Sequence, residues 1–198
     1  MVSLLTKPEF QRRAMPISVK AWHGMIAQGL APKRGELIRG VILEKMSKSI
    51  LHAKLVSRLM RLLQAALGDS CWVRQEAPLT MDDSEPEPDA SVVTGREEDY
   101  AAHPRTAALV VEVSVTTLAE DREMVSLYAE AGVSEFWIVN TRDRCIEVYR
   151  RPSASTYTVM ERIGLGETLR CASLPDVVLE IDALFRDLPT EEQVLKIS

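Results

Sequence analysis

The chain is short of the residues that mark unusual architectures. Cysteine occurs 3 times in 198 residues, as Cys71, Cys145 and Cys171, with no CxxC spacing. An odd, scattered set speaks against a disulfide framework and against a zinc site, and it leads us to expect a cytoplasmic protein with reduced thiols. With 9 glycines and 10 prolines, the chain is not collagen-like, low-complexity or wholly disordered. No apolar run reaches the roughly 18–20 residues that cross a membrane. The opening MVSLLTKPEFQRR lacks the charged, apolar, small-residue order of a signal peptide, so no leader is expected. A Walker loop, a dinucleotide-binding glycine pattern and a GxSxG elbow are all missing.

What is there suits one folded domain. Hydrophobic residues make up 46% and charged residues 27%, a length and balance that can bury a sizeable core. The expectation is a single domain over 1–198, with 1–17 and 189–198 at its periphery. The formal net charge of −5 hides an asymmetry. Residues 1–61 carry 12 Lys or Arg against Glu9, Glu36 and Glu44, whereas residues 62–198 carry the other 12 basic residues against 26 acidic ones. A locally basic field suits a polyanion such as DNA. Equally, the two parts can pack together and neutralise each other.

Periodicity supplies the elements. Ser18 is placed to cap a helix over Val19–Gln28, ended by Gly29. ELIRGVILEKM (Glu36–Met46) alternates like a hairpin turning at Gly40. Ala53–Leu67 is the clearest helix, with Leu55, Val56, Leu59, Met60, Leu62, Leu63, Ala66 and Leu67 on an apolar face and Lys54, Arg58 and Arg61 opposite. Such a basic stripe can track a phosphate backbone, or simply be a solvated face. Cys71–Met81 reads as a strand, Asp82–Asp89 as an acidic turn, Ala90–Val93 as a strand and Gly95–Arg105 as a polar loop. Ala107–Val113 reads as a buried strand, Leu118–Ala131 as a helix stopped by Gly132, and Glu135–Val139, Cys145–Arg150, Tyr157–Arg162 and Val177–Ile181 as strands. Trp22, Trp72 and Trp137 lie in apolar patterns and are expected in the core. The order of elements fits an α+β domain better than regular βαβ winding.

Glu112 is the most informative position, an acid inside LVVEV. Strand alternation places Val110, Glu112 and Ser114 on one face and Leu109, Val111 and Val113 on the other. A carboxylate there costs several kcal/mol unless a cation or hydrogen-bond network meets it. The plain alternative is an edge strand with Glu112 in water. Asp89, directly after Pro88, enters the preceding strand; if the two strands pair, both carboxylates face one site. Hard oxygen ligands with room for water suit Mg²⁺, with Mn²⁺ as a substitute. Read alone, Asp89 is an ordinary turn residue. His23 and His103 have no ligand-like partners at useful spacing.

These residues resemble the Uma-two family of restriction-endonuclease-like proteins, within the PD-(D/E)XK nuclease superfamily. The resemblance runs from about Ser18 to Phe185. It is carried by ELIRGVILEKM, His52 at the head of the long helix, VRQEAPLTMDDSEPEPDASVV (Val73–Val93), VVEVS (Val110–Ser114), EDREMVSLYAEAGVSEFWIVN (Glu120–Asn140) and SLPDVVLEIDALF (Ser173–Phe185). It implies a restriction-endonuclease-like mixed sheet flanked by helices. Asp89 would be the Asp of the PD element and Glu112 the acid of (D/E)XK, holding the metal. Glu36 and His52 match positions kept near the same site, and Gln75 a glutamine in the strand before the PD element. The implied activity is Mg²⁺-dependent endonucleolytic hydrolysis of DNA, leaving a 3′-hydroxyl and a 5′-phosphate.

The chain departs from the pattern at the lysine. Two residues after Glu112 stands Ser114, and the helix position where relatives carry a relocated lysine holds Met124, in Asp121-Arg122-Glu123-Met124. Arg122 can stabilise an oxyanion but is a poor proton acceptor. Lys45, Lys48 and Lys54 are the candidates from the basic third, and spacing does not choose among them. The alternative function is therefore a catalytically silent nucleic-acid or protein binding module on the same scaffold. A third reading is a structural or dimerising protein in which Glu112 pairs with an arginine. A homodimer is the assembly that two-strand cutting would use.

Overall fold

The computed structural model describes residues 8–11 and 13–188. They fall into two compact units, one of residues from 8–46 with 81–86, the other of 47–80 with 87–188. The expected C-terminal margin, 189–198, lies outside the described residues, as do residues 1–7 and 12.

The first unit begins with a short helix, α1 (Pro8–Gln11), followed by α2 (Val19–Ala27). Ser18 caps α2 as expected: its Oγ accepts the Ala21 N–H at 3.2 Å. Strands β1 (Gly35–Ile38) and β2 (Val41–Glu44) form an antiparallel hairpin. Its loop is Arg39-Gly40, with φ +51° and +72°, the left-handed pair that matches the twist of a two-residue hairpin. Glycine is required at the second position. A Cβ on Gly40 would lie 2.4 Å from Pro16 Cβ. Part of the acidic stretch expected as a turn docks beside β1, where Glu85 N–H donates to Leu37 O at 2.6 Å and Gly40 N–H to Asp83 O at 2.8 Å. Trp22 and Leu37 are buried here.

The second unit is built on α3 (Ile50–Leu67) and a six-stranded sheet. The strands are β3 (Cys71–Gln75), β4 (Ala90–Thr94), β5 (Leu109–Ser114), β6 (Glu135–Asn140), β7 (Cys145–Ser153) and β8 (Thr156–Gly164), in that spatial order. Neighbours are antiparallel except β5 and β6, which run parallel. A parallel pair needs a crossover, and α4 (Leu118–Glu130) provides it. β9 (Thr168–Arg170) and β10 (Val178–Glu180) form a small pair that leads into α5 (Ile181–Phe185).

The apolar stripe of α3 packs on one sheet face, where Leu55, Val56, Leu59 and Leu63 meet Val92, Leu109, Val111, Val113, Trp137 and Val139 in a single cluster. α4 lies along β5–β8. Trp22 and Trp137 are core, whereas Trp72 is only partly buried. The fold is the expected α+β arrangement of a mixed sheet flanked by helices. Several boundaries differ from the expectation. α3 starts three residues early because Ser49 caps it, accepting the His52 N–H at 3.1 Å. β3 stops at Gln75 because Glu76 takes φ +46° and Pro78 has no N–H to give. The last expected strand is cut short where Ile181 turns into α5, and β9 was not foreseen.

Candidate active site

The ladder between β4 and β5 sets Ala90 opposite Val111 and Ser91 opposite Val110. One rung further out, Asp89 comes against Glu112, so pairing alone delivers both acids to one sheet end. Reciprocal hydrogen bonds hold them: Asp89 N–H donates to Glu112 Oε2 at 3.2 Å, and Val113 N–H donates to Asp89 Oδ2 at 2.8 Å.

Asp89 is buried, at 6% exposure. His52 Nε2 lies 2.9 Å from its Oδ2, and Lys48 Nζ lies 2.8 Å from its Oδ1. Burial alone would raise its pKa, but the bonds and charges of His52 and Lys48 prevail and hold the carboxyl below its ordinary value. An ionised carboxylate only accepts, so His52 Nε2 carries the shared proton. His52 Nδ1 is buried and meets no hydrogen-bond partner among the described residues.

Glu112 keeps a solvent-facing edge, yet its carboxyl sits deep between β5 and α4. Tyr128 donates its hydroxyl to Glu112 Oε1 at 2.8 Å. Desolvation, followed by the charges of Asp89 and Asp121, pushes the Glu112 carboxyl well above the ordinary range despite the Tyr128 bond. Asp121, in the first turn of α4, accepts the Thr117 hydroxyl at 2.7 Å. Its own pKa is raised, by burial first and then by Asp89 and Glu120, with the Thr117 and Ser114 hydroxyls opposing. Three carboxyl groups thus repel one another in a small volume.

Asp89 and Glu112 are hard oxygen donors of the kind a divalent cation takes. Among the described residues no group of three or more His, Cys, Asp or Glu side chains is placed to hold a metal ion.

Of Lys45, Lys48 and Lys54, Lys48 bonds to Asp89. Lys48, in the segment before α3, bridges Asp89 and Glu76, with Nζ 3.0 Å from Glu76 Oε1. Partial burial would lower its pKa, but the bonds and charges of Asp89 and Glu76 leave it raised. Gln75, one residue before Glu76, donates to Glu76 Oε1 at 3.4 Å. Ser114 is buried beyond Glu112 at the end of β5.

Other candidates have other partners. Arg122 grips Glu147 on β7 with both arms, Nε to Oε2 at 2.9 Å and Nη2 to Oε1 at 2.5 Å, and Asn140 and Tyr149 complete that carboxylate's partners. Arg58 Nη1 donates to the carbonyls of Leu184 and Arg186 at 2.8 and 2.7 Å, fastening the end of α5. Lys54 and Arg61 are exposed on α3. Glu36 belongs to the first unit, on β1 opposite Leu43. His23 in that unit pairs with Glu85 at 2.8 Å. Sequence reasoning missed Tyr128 and Glu76. A tyrosine on the packed side of α4 needs a partner for its hydroxyl, which was a usable signal. Glu76 offered none.

A six-stranded mixed sheet flanked by helices is a restriction-endonuclease-like fold. Residues 29–182 match the Uma2 family, described as "Putative restriction endonuclease", and the chain belongs to that family. Its fold is similar to the crystal structure of a "putative nuclease belonging to DUF820" from Anabaena variabilis ATCC 29413, with a TM-score of 0.73 at 17% identity, covering 86% of this chain and 98% of that one. No curated protein matches the chain.

Proposed function

We propose that the protein is a Mg²⁺-dependent endonuclease that hydrolyses DNA phosphodiesters. The observation that carries this reading is the Asp89–Glu112 pair, hydrogen-bonded across β4 and β5 at one end of the sheet. When bound there, Mg²⁺, or Mn²⁺ in its place, activates water and neutralises the phosphate for in-line displacement. The chain's own groups prepare the place. His52 and the Val113 N–H orient the Asp89 carboxylate, and Tyr128 orients that of Glu112. The products would carry a 3′-hydroxyl and a 5′-phosphate.

Membership of a restriction-endonuclease family supports DNA as the partner. Exposed Lys54 and Arg61 are suited to the backbone phosphates. Two-strand cutting calls for two sites, hence a homodimer, and three free cysteines accord with a reducing, cytoplasmic setting. No helix among the described residues is long and apolar enough to cross a membrane. The test is nicking of supercoiled DNA with Mg²⁺ or Mn²⁺ by wild type, Asp89→Asn and Glu112→Gln, each checked for folding. Metal-dependent cutting that both substitutions abolish is the expected result. Because Ser114 and Met124 stand where an amine would, the second reading is the silent binding module. Metal binding without turnover would select it.

A further inference from the structure

We infer that Lys48 is the phosphate-contacting lysine of this site, brought in from the segment before α3 rather than from β5 or α4. This rests on the nuclease reading above. Its ammonium lies 2.8 Å from Asp89 Oδ1, an oxygen offered to the metal. Two cations on one carboxylate repel and compete for its lone pairs, so a metal at Asp89 would loosen the hold of that carboxylate on Lys48. Its flexible four-carbon stem permits that, and its side chain is 31% exposed.

Glu76 limits how far the ammonium moves. It accepts from Lys48 at 3.0 Å, is 41% exposed, and is not bonded to Glu112 or His52 in any contact described above. Released from Asp89 and still tethered to Glu76, the ammonium stays at the solvent-facing rim of the carboxylates. A phosphodiester drawn to the metal must pass that rim, and a mobile point charge there stabilises the negative charge that develops on phosphorus-bound oxygens. A purely structural role, holding the charge of buried Asp89, would show as lost stability in Lys48→Met with DNA affinity unchanged, and the readouts below separate the two. Arg122 and Arg58, the competing cations, are held by Glu147 and by α5. Glu76 is accordingly a positioning residue.

The experiment compares full-length wild type, Lys48→Met, Lys48→Arg and Lys48→Met/Ser114→Lys in three readouts. These are Ca²⁺ affinity by calorimetry without DNA, duplex DNA affinity in Ca²⁺, and Mg²⁺-dependent nicking. Removing the competing cation should tighten Ca²⁺ binding several-fold in Lys48→Met while weakening DNA binding in Ca²⁺. Nicking should fall about 100-fold or more. Ser114→Lys in that background, which puts an amine two residues after Glu112 on β5, should recover at least about tenfold of the lost activity. Unchanged or weaker Ca²⁺ binding in Lys48→Met overturns the proposal, as does nicking equal to wild type. If wild type cuts nothing but Lys48→Met shows tighter Ca²⁺ and weaker DNA binding, the nuclease reading fails and the assignment of Lys48 to the site stands.

Discussion

Asp89 and Glu112 are neighbours with opposed titration: the backbone N–H of Asp89 donates to Glu112 Oε2 at 3.2 Å, and the charge of Asp89 helps keep a proton on Glu112. One carboxyl is held below its ordinary value and the other well above, so the pair titrates as a unit.

The signs follow from linkage. Above the ordinary glutamate value of 4.5, folded protein holds a proton on Glu112 that the unfolded chain has released, so stability declines as pH rises from there through the raised folded value. Glu112→Gln should remove that decline. The amide can accept from Asp89 N–H and donate to Tyr128, so neither partner is left bare. Asp89 behaves oppositely. Its stabilisation is present above the ordinary aspartate value of 3.8 and is lost as pH falls through its depressed value, so Asp89→Asn should flatten the acid limb. Urea midpoints measured from pH 3 to pH 9 (roughly unit steps suffice) distinguish the two limbs. Metal affinity in wild type should climb with pH across the Glu112 window, because loading requires that proton to leave. A pH-independent affinity would contradict the raised Glu112.

Arg122 is an element of the scaffold as the structure has it, and this can be separated from any catalytic part. Glu147 is fully buried and receives both arms of the guanidinium. Arg122→Met leaves that carboxylate with Asn140 and Tyr149 alone, and should cost about 2–4 kcal/mol, the usual penalty for stranding a buried charge after allowing for the exposed arginine. Adding Glu147→Leu should return a good part of it. Nicking per folded molecule should stay close to wild type. A large activity loss with unchanged stability would instead place Arg122 in the chemistry.

Gly40→Ala tests the hairpin of the first unit. The new methyl would meet Pro16 at 2.4 Å on a backbone with φ +72°, so strain and overlap add. We expect a loss of about 1–3 kcal/mol, read as a lower thermal midpoint. Gly24→Ala, at a helix position where a Cβ meets nothing within 4 Å, is the control and should be neutral or slightly stabilising.

Residues with a local cause were readable in advance. Ser18, Gly40 and the α3 stripe announce a cap, a turn and a buried face through rules that operate over a few residues, and the structure holds all three. The alternation of LVVEV put Glu112 opposite the core face, and the register of β4 with β5 made Asp89 its neighbour. What the sequence could not give was any contact set by long-range geometry. Lys48 meets Asp89 across 41 residues of chain, and Tyr128 meets Glu112 through a crossover helix whose rotation no local pattern dictates. Arg58 and Arg122 looked like free charge because neither α5 nor β7 could be placed beside them beforehand.

The basic stripe of α3 offers the last test, since its members now differ. Arg58 bonds carbonyls at the end of α5, whereas Lys54 and Arg61 stand in water. Counterion release makes each neutralised phosphate contribute about 0.9 to the slope of log affinity against log salt. Replacing Lys54 and Arg61 by Gln should therefore reduce that slope by up to about 2, with stability unchanged within about 0.5 kcal/mol. Arg58→Gln should do the reverse. It should cost about 1–3 kcal/mol, because charge-assisted bonds to the α5 carbonyls are lost, and leave the salt slope near wild type. Fluorescence anisotropy on a labelled duplex in Ca²⁺, at several salt concentrations, reads the slope, and urea unfolding reads the stability. A slope that falls with Arg58→Gln as steeply as with the exposed pair would mean that DNA draws Arg58 away from α5.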